Sequence, residues 1–450
     1  MSSGVREVPA GSVNRRILRA AGAVTAAGIV VKLAATAKEF VVAAVYGRTD
    51  AMDAFLAALL IPGLLINLIS ESMNQAMVPT LVRVRAQQGE ARAQQLLSSA
   101  MLWSSALLAA ASLAMALGAR AFFPLIASHF APQKLDLAVR LFYGLLPVVL
   151  FTGIASNCTA VLNTLDRFAA PAIAPVVTPL LTIGCAIWLS ARMGIWALVA
   201  ATVTGALLHG AWMAWLMDAH GFRFRLRWHG SDEATREVAH QYGPVLLSSL
   251  VASSGLLVDQ SMAAMLPAGS VAALVYASRF VSVALTLLAG AVASAVTPHF
   301  AEMVAHREWA ACRRTVRTWV GVTALVSAPI ATALMAGAHG LIRLAFQHGA
   351  FGARDTAVVT PVLVMYAIQI PFFVCSRVFY RLLLAMRRTD LIFYCGLLNL
   401  GLDVVLNMVL MRWMGVAGIA LATSLWTVST FLFLWWWTRR LLAVAEGGTA

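Results

Sequence analysis

Uninterrupted apolar runs that are long enough to cross a lipid bilayer recur along the whole chain. A transmembrane helix needs about 20 such residues, whereas a strand of a membrane barrel is roughly half as long and alternates polar with apolar residues. The chain is 61% hydrophobic and only 12% charged, which excludes a soluble protein of this length. We therefore predict an all-α polytopic membrane protein of about twelve transmembrane helices. The predicted spans are 17–46, 53–79, 96–118, 137–161, 171–190, 194–217, 241–265, 270–298, 316–338, 356–380, 390–411 and 415–437.

Basic residues concentrate in alternate short loops, and these loops set the predicted orientation. Arginine and lysine favour the cytoplasmic loops of membrane proteins, so this pattern predicts that both termini are cytoplasmic. Residues 1–16 are polar, and the apolar run after them is too long for a signal-peptide core, which predicts an uncleaved first span. We assign the net charge of +14 to topology and predict no nucleic-acid partner, because no recognisable binding module accompanies the charge.

The two halves of the chain share stretches of sequence at nearly the same offset. The second and eighth spans end in similar segments that contain Pro79 and Pro298, and MGIWALVAAT (193–202) resembles MGVAGIALAT (414–423). We interpret the pairs as a duplication, the alternative being ordinary enrichment of small residues in packed membrane helices. Duplication predicts two pseudo-symmetric six-helix lobes with a site between them near the midplane, reached by alternating access. The predicted division is 1–217 for the N-terminal lobe, 218–240 for a basic cytoplasmic linker, 241–440 for the C-terminal lobe and 441–450 for a short tail.

Four cations lie inside predicted spans and are the candidate substrate-binding residues. Lys32 and Lys38 in the first span are two of only three lysines in the chain, and Arg279 and Arg377 lie in the eighth and tenth spans. A charge at bilayer depth costs a few kcal/mol, so such residues usually face a wet, protein-lined cavity. Arginine and lysine there would replace the hydration shell of an anionic diphosphate. For Arg377 the alternative is that its side chain reaches the membrane surface.

Five acids in or beside the spans form a second group of candidates. Each one either pairs with a neighbouring cation and only stabilises helix packing, or takes part in coupling to a proton or another ion. The sequence leaves both roles open. The five candidate structural or coupling acids are Glu39, Asp53, Glu71, Asp259 and Asp403.

Motifs of covalent chemistry do not occur in this sequence. It contains no GxxxxGK[ST], HExxH or GxSxG, and its five cysteines lack metal-site spacing, so we predict a transporter with no catalytic residue, metal site or cofactor. Membrane potential or a coupled ion would supply the driving force. Two other functions stay open: a drug/cation antiporter, and a non-transporting scaffold for a glycan-synthesis complex.

Three motifs resemble those of the MurJ/MviN-type lipid II flippases, within the multidrug/oligosaccharidyl-lipid/polysaccharide exporter superfamily. They are MDAFLAALLIPGLLINLISESMNQAMVP (52–79), FQHGAF (346–351) followed by Asp355, and GVAGIALATSL (415–425). The resemblance implies a V-shaped, two-lobed bundle in a bacterial inner membrane that flips a polyprenyl-diphosphate-linked glycan. It implies the glycan and the bilayer as partners, with glycan-synthesis proteins as possible further ones.

The family's cationic cavity is only partly matched. Its two first-helix arginines align with Lys32 and Lys38, the following acid with Glu39, and its eighth-helix arginine with Arg279. Its arginine pair in the second helix is Ile66 and Asn67 here, one glycine and one acid are Ser72 and Ser278, and its members usually have fourteen spans. These differences favour a related flippase for another lipid-linked glycan, such as an exopolysaccharide or capsule precursor, over one for lipid II.

Overall fold

A computed structural model describes the backbone of residues 10–447 apart from 128, 166, 224–226 and 231–232. This part of the chain is helical almost throughout and contains no strand, as the apolar pattern predicts. The helices are α1 (Ala10–Tyr46), α2 (Asp50–Leu65), α3 (Ser72–Gln88), α4 (Glu90–Ile126), α5 (Pro132–Thr164), α6 (Ala169–Ile173), α7 (Val177–Trp188), α8 (Ser190–Met193), α9 (Trp196–Ala219), α10 (Glu233–Ala263), α11 (Ser270–Ala305), α12 (Trp309–Phe346), α13 (Ala353–Ala367), α14 (Gln369–Ala385), α15 (Thr389–Met414) and α16 (Val416–Gly447).

Each of the twelve predicted spans corresponds to one helical passage, counting α2 with α3, α6 with α7, and α13 with α14 as single passages. Among the described residues, ten passages are long and apolar enough to cross a membrane; the other two are α1 and α10. Several helices continue past the predicted spans, as α4 and α12 do at both ends. Arg, Gln, Glu and Ala at these ends are good helix formers, so the helix does not stop where hydrophobicity falls.

The second passage is interrupted by a π-helical segment, Ile66–Glu71, between α2 and α3. Pro62 lies one turn earlier and lacks the backbone N–H that a regular helix would use. π-Helical turns inside helices occur frequently at functional sites. The segment includes Ile66 and Asn67, two positions at which the resemblance described above is incomplete.

The chain forms two compact units. The first comprises the described residues of Met1–Val42, Ile61–Gly118 and Leu141–Leu247. The second comprises those of Ala43–Leu60, Ala119–Arg140 and Ser248–Ala450. The second unit therefore includes the α1–α2 and α4–α5 connections together with most of the C-terminal half.

Close helix packing in the first unit depends on small residues. A methyl group at Gly205 of α9 would meet the backbone of Thr178 on α7, and one at Gly210 would meet the carbonyl of Phe151 on α5. Around these contacts α3, α4, α5 and α9 bury a cluster of methionine, leucine and alanine side chains. Small residues at such positions let membrane helices approach closely.

The predicted linker 218–240 packs in part against the first unit. Phe222 is buried, Trp228 makes an edge-on contact with Trp103 of α4 at 5.8 Å between ring centroids, and the amide of Gln94 donates to the carbonyl of Arg223 at 2.8 Å. Positions 224–226 and 231–232 of the predicted linker lie outside the described residues. The described part of the linker is thus attached to helices of the first unit.

The second unit has an aromatic core where α11, α12 and the loop after α12 meet. Tyr276, Phe346 and Phe351 are fully buried, with ring centroids 5.2 to 6.0 Å apart, and Phe280 contacts Phe346 at 5.7 Å. Two of these rings belong to the FQHGAF motif (346–351). The motif therefore contributes packing at this end of the unit.

Candidate functional site

The two lysines of α1 differ in their surroundings. Lys38 forms an ion pair with Glu39, with 3.0 Å between Nζ and Oε1, and the Glu39 side chain is almost fully buried. Lys32 is exposed, and its carbonyl accepts a hydrogen bond from the Thr36 hydroxyl at 2.9 Å. Glu39 therefore offsets part of the charge at Lys38, and α1 presents a second ammonium group at Lys32.

Arg279 lies on α11 in the second unit and is exposed. The next positions on this side of the helix carry hydroxyl groups: Ser282 donates to the Arg279 carbonyl at 2.9 Å and Thr286 to the Ser282 carbonyl at 2.7 Å. These back-bonds satisfy the hydroxyl protons and leave oxygen lone pairs as acceptors. The Arg279 side of α11 is polar for at least two helical turns.

Arg377 of α14 is partly buried and stacks on aromatic rings of its own helix. Its guanidinium carbon lies 4.1 Å from the Phe373 ring centroid and 5.5 Å from that of Tyr380. Arginine over an aromatic face gains about 0.5 to 1 kcal/mol when exposed and about 2 kcal/mol or more when desolvated. Phe373 lies one turn towards the start of α14 and Tyr380 one turn towards its end, so the guanidinium contacts rings on both sides along the helix.

Two of the predicted acids lie together in the second unit. The amide of Asn407 donates to Asp259 at 2.8 Å and to Asp403 at 3.0 Å, and the Thr423 hydroxyl donates to Asp259 at 3.0 Å. All four side chains are buried, and within the described residues neither acid forms an ion pair. Two carboxyl groups that share one amide donor, away from water, need a proton or a cation to balance their charge.

Asp53 has a different role from these two acids, because it caps a helix. Its carboxylate accepts the backbone N–H groups of Gly269 at 2.6 Å and Ala272 at 3.0 Å, at the start of α11. Lys134 of α5 adds a third contact at 2.9 Å from the same carboxylate and also contacts Asp50 at 2.7 Å. The positive end of the α11 dipole and the ammonium group both favour a carboxylate here.

Further contacts join the α1–α2 connection to the same end of the second unit. Arg48 donates to the carbonyl of Gly269 at 3.0 Å and to Asp355 at 3.2 Å, and the N–H of Ala350 donates to the carbonyl of Ala44 at 2.7 Å. Gly349 has a positive φ, and a Cβ there would collide with the Ala44 carbonyl oxygen. We call the contacts of 44–53 and Lys134 with 269–272 and 349–355 the α1–α2 closure.

Sequence reasoning missed Lys134 and Arg48. Both lie in short connections between predicted spans, where a basic residue is usually a topology signal. The sequence contains one signal: Lys134 is the third of only three lysines, and the other two are candidate substrate-binding residues. Asp355 of the second resemblance motif proves to be the partner of Arg48.

The candidate residues are distributed over both units. Lys32, Lys38 and Glu39 lie in the first, and the side chain of Glu71 lies outside the described part of the structure. The second unit contains Asp53, Asp259, Arg279, Arg377 and Asp403, and brings only Asp259 and Asp403 together.

Known proteins resemble this chain over most of its length. The family model described as "Lipid II flippase MurJ" matches residues 42–449. A probable lipid II flippase MurJ of Synechocystis sp. is 25% identical over 98% of this chain and 85% of its own length, and one of Vibrio cholerae is 24% identical over 92% and 81%.

Solved structures show the same fold. A structure titled "Lipid II flippase MurJ, inward closed conformation" superposes with a TM-score of 0.81 at 20% identity, covering 92% of this chain and 87% of that one. An inward-facing multidrug resistance MATE family transporter of the MOP superfamily gives 0.75 at 14% identity, covering 93% and 96%. The helices and these matches make the chain a multi-pass bacterial inner membrane protein. Because the family model spans nearly the whole sequence, the chain belongs to the MurJ lipid II flippase family.

Proposed function

We propose that this protein flips a polyprenyl-diphosphate-linked glycan across the membrane by alternating access, without covalent chemistry. The proposal rests on α1, the helix that contains the first predicted span, which has an exposed ammonium at Lys32 and a second one at Lys38. Placing a cation inside a membrane span costs free energy, so such cations usually serve a polar substrate or pathway. A diphosphate is the anionic part of such a lipid-linked precursor.

Lys32, Lys38, Arg279 and Arg377 are the cations that we propose to contact the phosphates during transport. Ammonium groups act as compact point charges, whereas guanidinium groups grip two oxygens at once. At Lys38 the substrate competes with Glu39, which already lies 3.0 Å from the ammonium group. This competition limits the affinity, and a carrier must release its substrate as well as bind it.

We assign coupling to the pair Asp259 and Asp403. Their buried carboxyl groups share Asn407 and lack an ion-pair partner among the described residues, so uptake of a proton or a cation would change the charge of the cluster. One charge that moves through 100 mV gains about 2.3 kcal/mol, enough to bias a conformational equilibrium. Asp53 and Glu39 are structural acids in this scheme, since each has a defined partner.

The substrate that we favour is a precursor other than lipid II, such as an exopolysaccharide or capsule unit. Ile66 and Asn67 stand where the family has an arginine pair, and neither can make a charge-assisted bond to phosphate. We further propose that both termini are cytoplasmic, as the loop charges predict. Glycan-synthesis proteins are the protein partners expected for such a carrier.

The test is a flipping assay in proteoliposomes with lipid-linked glycans that carry a fluorescent headgroup. K32A/K38A is expected to lower the flipping rate at least about tenfold, since each lost charge-assisted contact is worth roughly 1.5 to 3 kcal/mol. The matched control is R192Q, which removes an exposed cation at the end of α8 and leaves α1 unchanged.

Two outcomes would oppose the proposal. Normal glycan export by correctly inserted K32A/K38A would favour a scaffold, because a scaffold needs no cation on α1. Efflux of cationic compounds that is improved by K32E/K38E would instead favour a drug/cation antiporter.

A further inference from the structure

The Asp53 carboxylate is buried deeply enough that its charge needs compensation. Asp53 is 1% exposed, and its two oxygens are used by the N–H groups of Gly269 and Ala272 and by the ammonium of Lys134. Removing a carboxylate from water costs several kcal/mol unless charge and hydrogen bonds replace its hydration. Formation of the α1–α2 closure therefore requires a positive charge close to Asp53.

Lys134 supplies most of that positive charge. The start of a helix contributes the equivalent of about half an elementary charge, whereas an ammonium group contributes a full one. The Lys134 side chain is only 9% exposed, and its ammonium lies 4.1 Å from the Phe130 ring centroid, so little water screens its contact with Asp53. Without Lys134, the closed arrangement would contain a buried carboxylate that only backbone dipoles compensate.

The two partners are not equivalent, because Lys134 has a second acid and Asp53 has no second cation in the described contacts. Asp50 lies 2.7 Å from the Lys134 ammonium and its side chain is 63% exposed. If Asp53 loses its charge, Lys134 stays paired with Asp50. If Lys134 loses its charge, Asp53 stays buried with only backbone N–H groups as partners among the described contacts.

We propose that Lys134 is a positioning residue for transport: it is the counter-charge that allows Asp53 to be buried at the start of α11 and thereby determines how readily the α1–α2 closure forms. The inference rests on the proposed function in one respect, since closing and opening of this end are taken as steps of alternating access. The charge balance itself depends only on the contacts of the second unit.

This assignment predicts an unusual order of the variants when they are ranked by how far the α1–α2 closure opens. K134M is expected to open the closure strongly and D53N only mildly, because D53N removes the buried charge together with its need for compensation. D53N/K134M is expected to open less than K134M alone. K134R keeps the charge and is expected to stay close to the unmodified protein.

The experiment measures how fast a thiol reagent reaches a cysteine placed at Ala272, which is fully buried in the first turn of α11. The labelling is done in lipid nanodiscs, so that both membrane faces are accessible, and in a chain with Cys185 replaced by alanine because the other four cysteines are buried. K134M is expected to raise the labelling rate at least about tenfold, because a buried charge left without its partner is strongly destabilising. R140Q is the matched control, because it removes an exposed cation from the same helix, α5.

If Lys134 only adds one more stabilising contact to the α1–α2 closure, the labelling rates follow a different pattern. In that case K134M and D53N would each speed labelling and the double variant would be the fastest, which would overturn the proposal, as would a K134M rate equal to that of the unmodified protein. If K134M does not fold, comparing D53N with D53N/K134M decides: equal rates support the proposal and a faster double variant opposes it. No substrate is present, so a failed flipping assay leaves this result interpretable, and the reverse also holds.

Discussion

Buried acids in this protein lie in two chemically distinct environments. Asp53 is fully compensated by two backbone N–H groups and an ammonium group, which is the environment of a structural carboxylate. Asp259 and Asp403 share a neutral amide donor, and one oxygen of Asp403 lacks a hydrogen-bond partner in the described part of the chain. The second environment is balanced only when a proton or a cation is taken up, so it suits coupling.

The sequence was sufficient to select these acids but not to assign their roles. An acid in an apolar run is recognisable from its neighbours alone, because the cost of burying it is local. Its partner is not recognisable in this way: Asp259 lies on α10, whereas Asp403 and Asn407 lie on α15, and only tertiary packing brings them together. For the same reason Lys134, in a short connection, gave no indication that it contacts Asp53.

We predict that D403N removes the coupling of transport to an ion gradient without a loss of stability. The variant keeps the shape of the side chain and removes one of two like charges, so the free energy of unfolding is expected to stay the same or to rise by about 1 to 3 kcal/mol. Flipping is expected to lose its response to an imposed proton or sodium gradient. The measurements are thermal unfolding in detergent and flipping with and without the gradient.

The matched control for D403N is D390N, on the same helix. Asp390 is exposed and pairs with Arg388 at 2.9 Å, so its neutralisation is expected to affect neither measurement. A large drop in the stability of D403N would instead identify the cluster as a structural network that requires both charges.

At the scale of helices, exposed faces in the second unit differ in chemistry. The exposed side of α11 carries Arg279, Thr286, Ser294 and Thr297, whereas that of α12 carries mainly leucine, valine, alanine and proline around a hollow at Pro329. Hydropathy predicted both helices, since the mean apolarity of each is high. Hydropathy does not predict the π-helical segment Ile66–Glu71, because the local hydrogen-bond register depends on packing around Pro62.

We predict that the hydroxyl groups beside Arg279 contact the glycan. S282A/T286A removes two acceptor oxygens and is expected to slow flipping about three- to tenfold, at roughly 1 kcal/mol for each lost hydrogen bond. The effect should be smaller for a precursor with a shorter glycan. The control is T332A, since the exposed Thr332 of α12 has the same back-bond to a carbonyl but lies among apolar residues. Equal slowing by S282A/T286A and T332A would show that the effect is on helix stability and not on the substrate.

Compact units and sequence halves divide the chain differently. Similar motifs in the two halves predict two lobes, yet 43–60 and 119–140 of the N-terminal half belong to the second unit. Sequence repeats reflect the order of segments along the chain, and hydropathy reflects which segments face lipid. The compact unit to which a segment belongs depends instead on which helix ends contact each other in the folded protein. The glycines at Gly47 and Gly349, both with positive φ, permit that meeting, and their role is visible only in three dimensions.

Substrate selectivity is a property of the whole transporter, and Asn67 offers a test of it. If Asn67 stands where the family uses arginine on phosphate, then N67R is expected to raise the rate of lipid II flipping about tenfold, the value of one charge-assisted hydrogen bond. Asn67 is suited to the change because it is exposed, whereas Ile66 packs against the cluster that contains Leu65, Leu108 and Val149. The control N67Q keeps a polar side chain without the charge. The unmodified protein could instead flip lipid II rapidly, with no gain from N67R. In that case Lys32, Lys38, Arg279 and Arg377 already suffice for lipid II, and the proposed specialisation for another lipid-linked glycan is wrong.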